Sequence, residues 1–190
     1  MGYSDGVGAS LLRKEDDRFL RGKGYYIGDI SLDGTREVAF VRSPVAHARL
    51  LGVQVPESIR SSVFTAEDLT GVKPIRAVSP LPGFKASEQP PLVTDKIRHV
   101  GELIAMCVAD TRAEAEDIAA QVMVDYDVLP AVVDMLDAQL SEAPRVHDSW
   151  NDNIYLEVSY DGDIDSAARQ APVSVARKVR TARQVMSPIE

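Results

Sequence analysis

Glu102 follows Gly101 and precedes the apolar run Leu103–Ala109, so its carboxylate stands at the mouth of a hydrophobic segment. A carboxylate in such a place has two uses. It can move protons as a general acid or base, or it can accept hydrogen bonds from backbone amides at a strand edge. The second use is the expectation here. The three histidines, His47, His99 and His147, are far apart in sequence. Metal sites usually announce themselves by close local pairs such as His-x-x-x-His, so each is expected as a turn or core-edge residue. Cys107 lies inside the apolar run, where a thiol is packing rather than nucleophile. It is the sole cysteine, and an iron–sulfur cluster takes several thiolates. The acidic stretch Asp161–Asp165 resembles the start of a calcium loop, but the sixth and twelfth positions, where Gly and Glu belong, hold Ser166 and Pro172. An acidic helix N-terminus is the simpler expectation. The glycine pairs in "GVGAS" and "GKG" complete neither a dinucleotide fingerprint nor a phosphate loop. No Ser-His-Asp set declares itself. Residue types alone therefore assign no catalytic, cofactor-binding or metal-ligating residue.

Composition narrows the partners. A net charge of −8 argues against binding a phosphate backbone, which needs clustered Lys and Arg. The one basic cluster, Arg177, Lys178, Arg180 and Arg183, is too small to reverse that. No apolar run reaches membrane-spanning length, and no secretory signal opens the chain. With one cysteine and hence no internal disulfide, the expected compartment is the reducing cytoplasm. At 45% hydrophobic residues there is material for a true core, and 190 residues suit one domain with an extension, or two small ones.

The elements that position these residues follow from spacing. Residues 1–10 are Gly- and Ser-rich and read as a mobile N-terminus. A short helical turn is predicted around Phe19 and Leu20, then an extended segment Tyr25–Ile30. Strands are predicted in "REVAFVRS", ended by Pro44, and in "ARLLGVQV", ended by Pro56. "SSVFTAEDL" predicts a short strand running into a helical turn, with Thr65 as N-cap and Asp68 three residues on. Residues 71–96 are loop-rich, with one short strand near Ile75–Val78. "ELIAMCVAD" predicts a strand buried on both faces. Thr111 and Glu114 form a capping box, and "RAEAEDIAAQVM" continues as a helix with Ala115, Ile118, Ala119 and Val122 on one face. In "VMVDYDVLP", Val124, Tyr126 and Val128 point inward and Asp125 and Asp127 outward. This strand–helix–strand run predicts an α/β unit, with the helix packed on both strands. A short helix follows at Asp134–Gln139. "SEAPRVHDSWNDN" reads as a linker, "IYLEVSY" as a strand, and "DGDIDSAARQAP" as a turn and a short helix. Val175–Val185 alternates as a final strand, with good helix formers interleaved, and "MSPIE" follows it.

Several of these stretches together resemble one known family. "RKEDDRFLRGKGYYIGDI", "VRSPVAHARL", "VFTAEDL", "IRHVGELIAMCVADTRAEAEDIAAQVMVDYDVLPAVVD" and "APRVHD" are similar, in order and spacing, to the start of the large subunit of molybdenum hydroxylases. That family includes xanthine dehydrogenase, aldehyde oxidase and carbon monoxide dehydrogenase. The resemblance implies an α+β fold, with an α/β hammerhead domain over residues 11–140. Residues 141–190 would be a linker and the start of a molybdopterin-binding domain, which "RQVMSPIE" resembles at its threshold. It also implies a non-catalytic structural part of the oxidoreductase, either a split-subunit chain or a fragment of the large subunit, inactive when isolated. The resemblance places no cofactor on this chain. Molybdopterin, 2Fe-2S clusters and FAD are expected on partner chains or in the remainder of the large subunit. The implied partners are a molybdopterin-binding chain or domain and iron–sulfur and flavin subunits, in a hetero-oligomer. Two rivals stand beside it: a free-standing interaction domain with the hammerhead fold and no redox role, and a small enzyme using Glu102 and a histidine as acid and base.

Overall fold

In the computed structural model the described residues are 6–160 and 162–182. The chain divides into a main unit, Arg36–Gln170, and a second unit made of the two flanks, residues 1–35 and 171–190.

In the N-terminal flank the predicted helical turn forms as α1 (Asp16–Leu20). Asp16 and Asp17 sit in its first turn, where carboxylates meet the positive end of the helix dipole. It stops where the Gly22 N–H bonds the Phe19 carbonyl, with Gly22 at φ +66°. The Phe19 ring stacks on Tyr26 at 6.0 Å, with the Arg18 guanidinium 4.9 Å above it. The extended segment predicted at Tyr25–Ile30 is instead a 3₁₀ turn over Ile27–Asp29. The Asp29 carboxylate accepts the Tyr26 N–H at 2.9 Å and pulls the chain into it. In the C-terminal flank the predicted strand is absent from residues 175–182, and Val173, Val175 and Val179 are exposed. Among the described residues no strand pairs with this segment, and a lone strand leaves its ladder groups open. Residues 183–185 of that expectation lie outside the described residues.

The main unit carries strands β1 (Glu37–Arg42), β2 (Ala48–Gln54), β3 (Val63–Phe64), β4 (Ile75–Arg76), β5 (Glu88–Gln89), β6 (Lys96–Ile97), β7 (Leu103–Ala109) and β8 (Met123–Val128). Its helices are α2 (Arg112–Ala119) and α3 (Ile164–Gln170). The strands make one sheet in the order β1-β7-β3, another in the order β6-β2-β8, and the small pair β4-β5. Every pairing is antiparallel. β7 and β8, predicted as arms of one α/β unit, therefore belong to different sheets. The fold is α+β.

β7 is central in its sheet, and its residues Ile104, Ala105, Cys107 and Ala109 are buried. Ile104 packs with Ala48, Val93 and Ile97, and with Val124 and Tyr126 of β8, so the core runs from one sheet into the other. Ala105 and Cys107 pack with Val63 and Val122. Ala109 packs with Ala39 and Ala115. The predicted helix face points inward as spaced: Ala115 and Val122 are buried, and Ile118 and Ala119 lie against two of these clusters. The helix packs on β1 and β7, not on β7 and β8. It ends at Ala119 rather than near Met123. The Gln121 and Val122 amides bond the Ile118 and Ala119 carbonyls, tightening the last turn and turning the chain into β8. Val128, predicted inward, is 63% exposed at the end of its strand.

Residues 154–160, predicted as a strand, form no ladder. The segment is held by a bond from the Lys85 N–H to the Tyr155 carbonyl at 2.7 Å and by an edge-on contact of Phe84 with Tyr155 at 6.1 Å. Among the described residues no helix is long and apolar enough to cross a membrane.

Candidate functional site

Glu102 opens β7 at the end of a tight turn. Gly101 sits at φ +84°, a conformation that favours glycine. Its N–H bonds the Ser43 carbonyl at 2.8 Å, the Ser43 N–H bonds the Glu102 carbonyl at 2.9 Å, and the Arg42 guanidinium donates to the Gly101 carbonyl at 3.0 Å. The Glu102 side chain is buried, and its Oε2 accepts the Arg98 N–H at 2.5 Å. This is the backbone-accepting role expected from sequence. His99 Nδ1 lies 3.7 Å from the same oxygen, a distance for charge attraction rather than for a proton-transfer hydrogen bond.

The turn faces a hollow of about 210 Å³ lined by Glu88, Arg98, His99, Glu102 and His147. It adjoins a larger one of about 490 Å³, which shares Arg98 and His147 and adds Pro90, Pro91 and Trp150. The fold thus brings together Glu102, His99 and His147, three of the residues singled out from the sequence. It leaves out the other two. His47 is buried elsewhere, with Nδ1 2.6 Å from the Pro130 carbonyl. That carbonyl only accepts, so this nitrogen carries the proton. Cys107 is fully buried in the core, and burial pushes its thiol up and away from the reactive thiolate. Of the acidic stretch, Asp161 lies outside the described residues. Asp163 accepts the Ser166 N–H at 2.8 Å and Asp165 stands in the first turn of α3, as an acidic helix start does.

Sequence reasoning missed the hollow's cation, Arg98, and the buried Lys96 two residues before it. Arg98 donates to the Lys96 carbonyl at 2.7 Å, and its Nε is buried with no hydrogen-bond partner. Lys96 is 2% exposed, and its ammonium donates to Asp148 Oδ1 at 2.7 Å and to the Arg145 carbonyl at 3.0 Å. That hydrogen bond holds the Asp148 carboxyl below its usual range. His147 rests on Trp150, ring centroids 4.3 Å apart. Burial pushes its imidazole below the usual value; Arg98 and Lys96 add to this, and Asp148 and Glu102 oppose it. The one available signal was Lys96-Ile97-Arg98, two cations alternating around a buried isoleucine.

Chemically the arrangement is a structural knot. Its buried carboxylate is committed to a backbone amide and its buried lysine to a carboxylate and a carbonyl. Among the described residues no group of three or more His, Cys, Asp or Glu side chains is placed to hold a metal ion. With one cysteine in the chain, the donor set fits neither a metal ion nor an iron–sulfur cluster.

Residues 21–130 match the family described as aldehyde oxidase and xanthine dehydrogenase, a/b hammerhead domain. The chain is 31% identical over 191 residues to the nicotine 6-hydroxylase large subunit of Paenarthrobacter nicotinovorans, covering 97% of this chain and 23% of that protein. It is 35% identical over 135 residues to the carbon monoxide dehydrogenase large chain of Hydrogenophaga pseudoflava, covering 69% and 16%. Among solved structures, quinoline 2-oxidoreductase from Pseudomonas putida 86 matches with a TM-score of 0.69 at 36% identity, over 82% of this chain and 20% of that one. The aldehyde oxidoreductase from Desulfovibrio gigas matches with a TM-score of 0.71 at 26% identity, over 85% and 19%. The chain spans less than a quarter of the length of each of these relatives.

Proposed function

We propose, from the premise that this chain belongs to the aldehyde oxidase and xanthine dehydrogenase a/b hammerhead domain family, that it is a non-catalytic structural part of a molybdenum hydroxylase. Residues 11–140 serve as the hammerhead, and residues 141–190 lead toward a molybdopterin-binding domain. Molybdopterin, the iron–sulfur clusters and FAD reside on partner chains or in the remainder of the large subunit, and the complex works in the cytoplasm. The observation that carries this proposal is the commitment of Glu102. Among the described residues the buried Glu102 carboxylate lies beside histidines, and its Oε2 holds the Arg98 amide. The names of two relatives, a large subunit and a complex subunit gamma, support a role within a larger assembly.

The test is a tagged purification from the native host beside the same chain produced alone. The expected result is co-purifying chains with molybdenum, iron and flavin in the first preparation, and none of the three bound to the chain alone. Stoichiometric molybdenum, iron or flavin on the isolated chain, or turnover by it, would overturn the proposal.

A further inference from the structure

Residues 144–155 form a strap across the edge of the hollow. Asn153 closes it internally: its Oδ1 accepts the Val146 N–H at 3.0 Å, and its Nδ2 donates to the Pro144 carbonyl at 3.0 Å. Two lysines fasten it to the rest of the main unit. Lys96 holds Asp148 and the Arg145 carbonyl, and Lys85 holds Asp152 at 2.6 Å. Between these fastenings His147 lies half-buried against Trp150.

We infer that this strap is a pH-sensitive clasp, released when His147 takes up a proton. The groups facing His147 decide the sign. Arg98 and Lys96 are cations, and Lys96 is almost wholly out of water. Asp148 and Glu102 are carboxylates; Asp148 and Lys96 pair and largely offset each other, Glu102 accepts the Arg98 N–H, and Asp95 lies 3.7 Å from the Arg98 guanidinium. Glu88, in the same hollow, is paired with Arg76 at 3.0 Å. On Trp150 the Lys85 ammonium lies 5.8 Å from the ring centroid, so the indole already faces one cation. Attraction between an imidazolium and the indole face favours closure. Burial of the half-buried ring opposes it, and agrees with the lowered proton affinity of His147. His99 lies outside the strap, its Nδ1 3.7 Å from Glu102 Oε2. Because the held imidazole binds a proton less readily than a released one, the clasp is fully closed above the ordinary histidine value of about 6.5. It loosens as pH falls from there through the lowered value.

The experiment is amide hydrogen exchange on the full chain at pH 7.5 and pH 5.0, corrected for intrinsic rates, with Trp150 fluorescence alongside; it is the sole tryptophan. The informative amides are Val146 and Trp150, bonded to Asn153 Oδ1 and to the His147 carbonyl. Their protection is expected to drop measurably at pH 5.0, while amides of β7 keep theirs. In His147→Gln the drop is expected to vanish. In His99→Gln it is expected to persist, and this variant decides the matter if His147→Gln loses its β7 protection. Equal protection of wild type at both pH values, persistence of the drop in a folded His147→Gln, or its loss in His99→Gln would each overturn the inference.

Discussion

At Glu102 a single carboxylate oxygen closes the turn on which β7 begins. Glu102→Ala leaves the Arg98 amide unpaired in a buried place and is expected to cost about 1.5–3 kcal/mol, the range for a hydrogen bond to a charged group. Chemical denaturation of the two proteins measures it. A loss below about 0.5 kcal/mol would mean that Gly101 and Ser43 hold the turn unaided. Asp148 gives a pH prediction of its own. The Lys96 hydrogen bond holds its carboxyl below the usual range, so its contribution is fully present above about pH 3.9 and is lost as pH falls through the lowered value. An acid titration followed by exchange at Val146 is expected to show this second step, and Asp148→Asn to lack it. The role of Glu102 was legible in the sequence because glycine before an apolar run marks a turn into a strand. Lys96 and Arg98 were not, because charged residues read as solvated until a fold buries them. Nor did the sequence tie His147 to Glu102, since only the strap brings them to one hollow.

The long elements were legible for a related reason: each is long enough to display its period. β1, β2, β7 and α2 appear where alternation, a continuous apolar run and helical spacing place them, and the α2 start is fixed by a capping box with Thr111 Oγ1 accepting the Glu114 N–H at 3.2 Å. Thr111→Ala is expected to cost about 1 kcal/mol. Ile118→Ala is expected to cost about 2 kcal/mol, the low end for such a truncation, because Ile118 is only partly buried between two clusters. Thermal melting of both variants checks these values, and an unchanged Ile118→Ala curve would show that this face contributes no packing. β5 and β6, two residues each, are too short to carry a period. "IYLEVSY" has the alternation of a strand but lacks a neighbour, and pairing is what a ladder requires. Sheet membership was equally invisible. The helix between β7 and β8 looks like a crossover within one sheet, whereas antiparallel partners drawn from β1 and β2 set the two strands apart.

For the molecule as a whole, residues 171–182, the described part of the C-terminal flank, form neither helix nor strand. Val173, Val175 and Val179 are exposed, and ordering each residue costs roughly 1–2 kcal/mol in backbone entropy. Amides over residues 173–182 are expected to exchange rapidly in the chain alone and to gain protection when it is assembled with the remainder of a hydroxylase. Strong protection in the lone chain would contradict this. The main unit is ordered by ladders between segments far apart in sequence. Glu37 pairs with Ala109, and Ala48 with Val128. Pairings this distant in sequence form slowly, because the chain between them must be closed first. A ribosome adding about 5–20 residues per second leaves β1 and β2 without partners for several seconds. Through that interval two half-apolar strands stand open to pairing with other nascent chains. A message truncated before the codon for Leu103 would lack both β7 and β8, leaving each three-stranded sheet with incomplete ladders for the cell to capture or degrade.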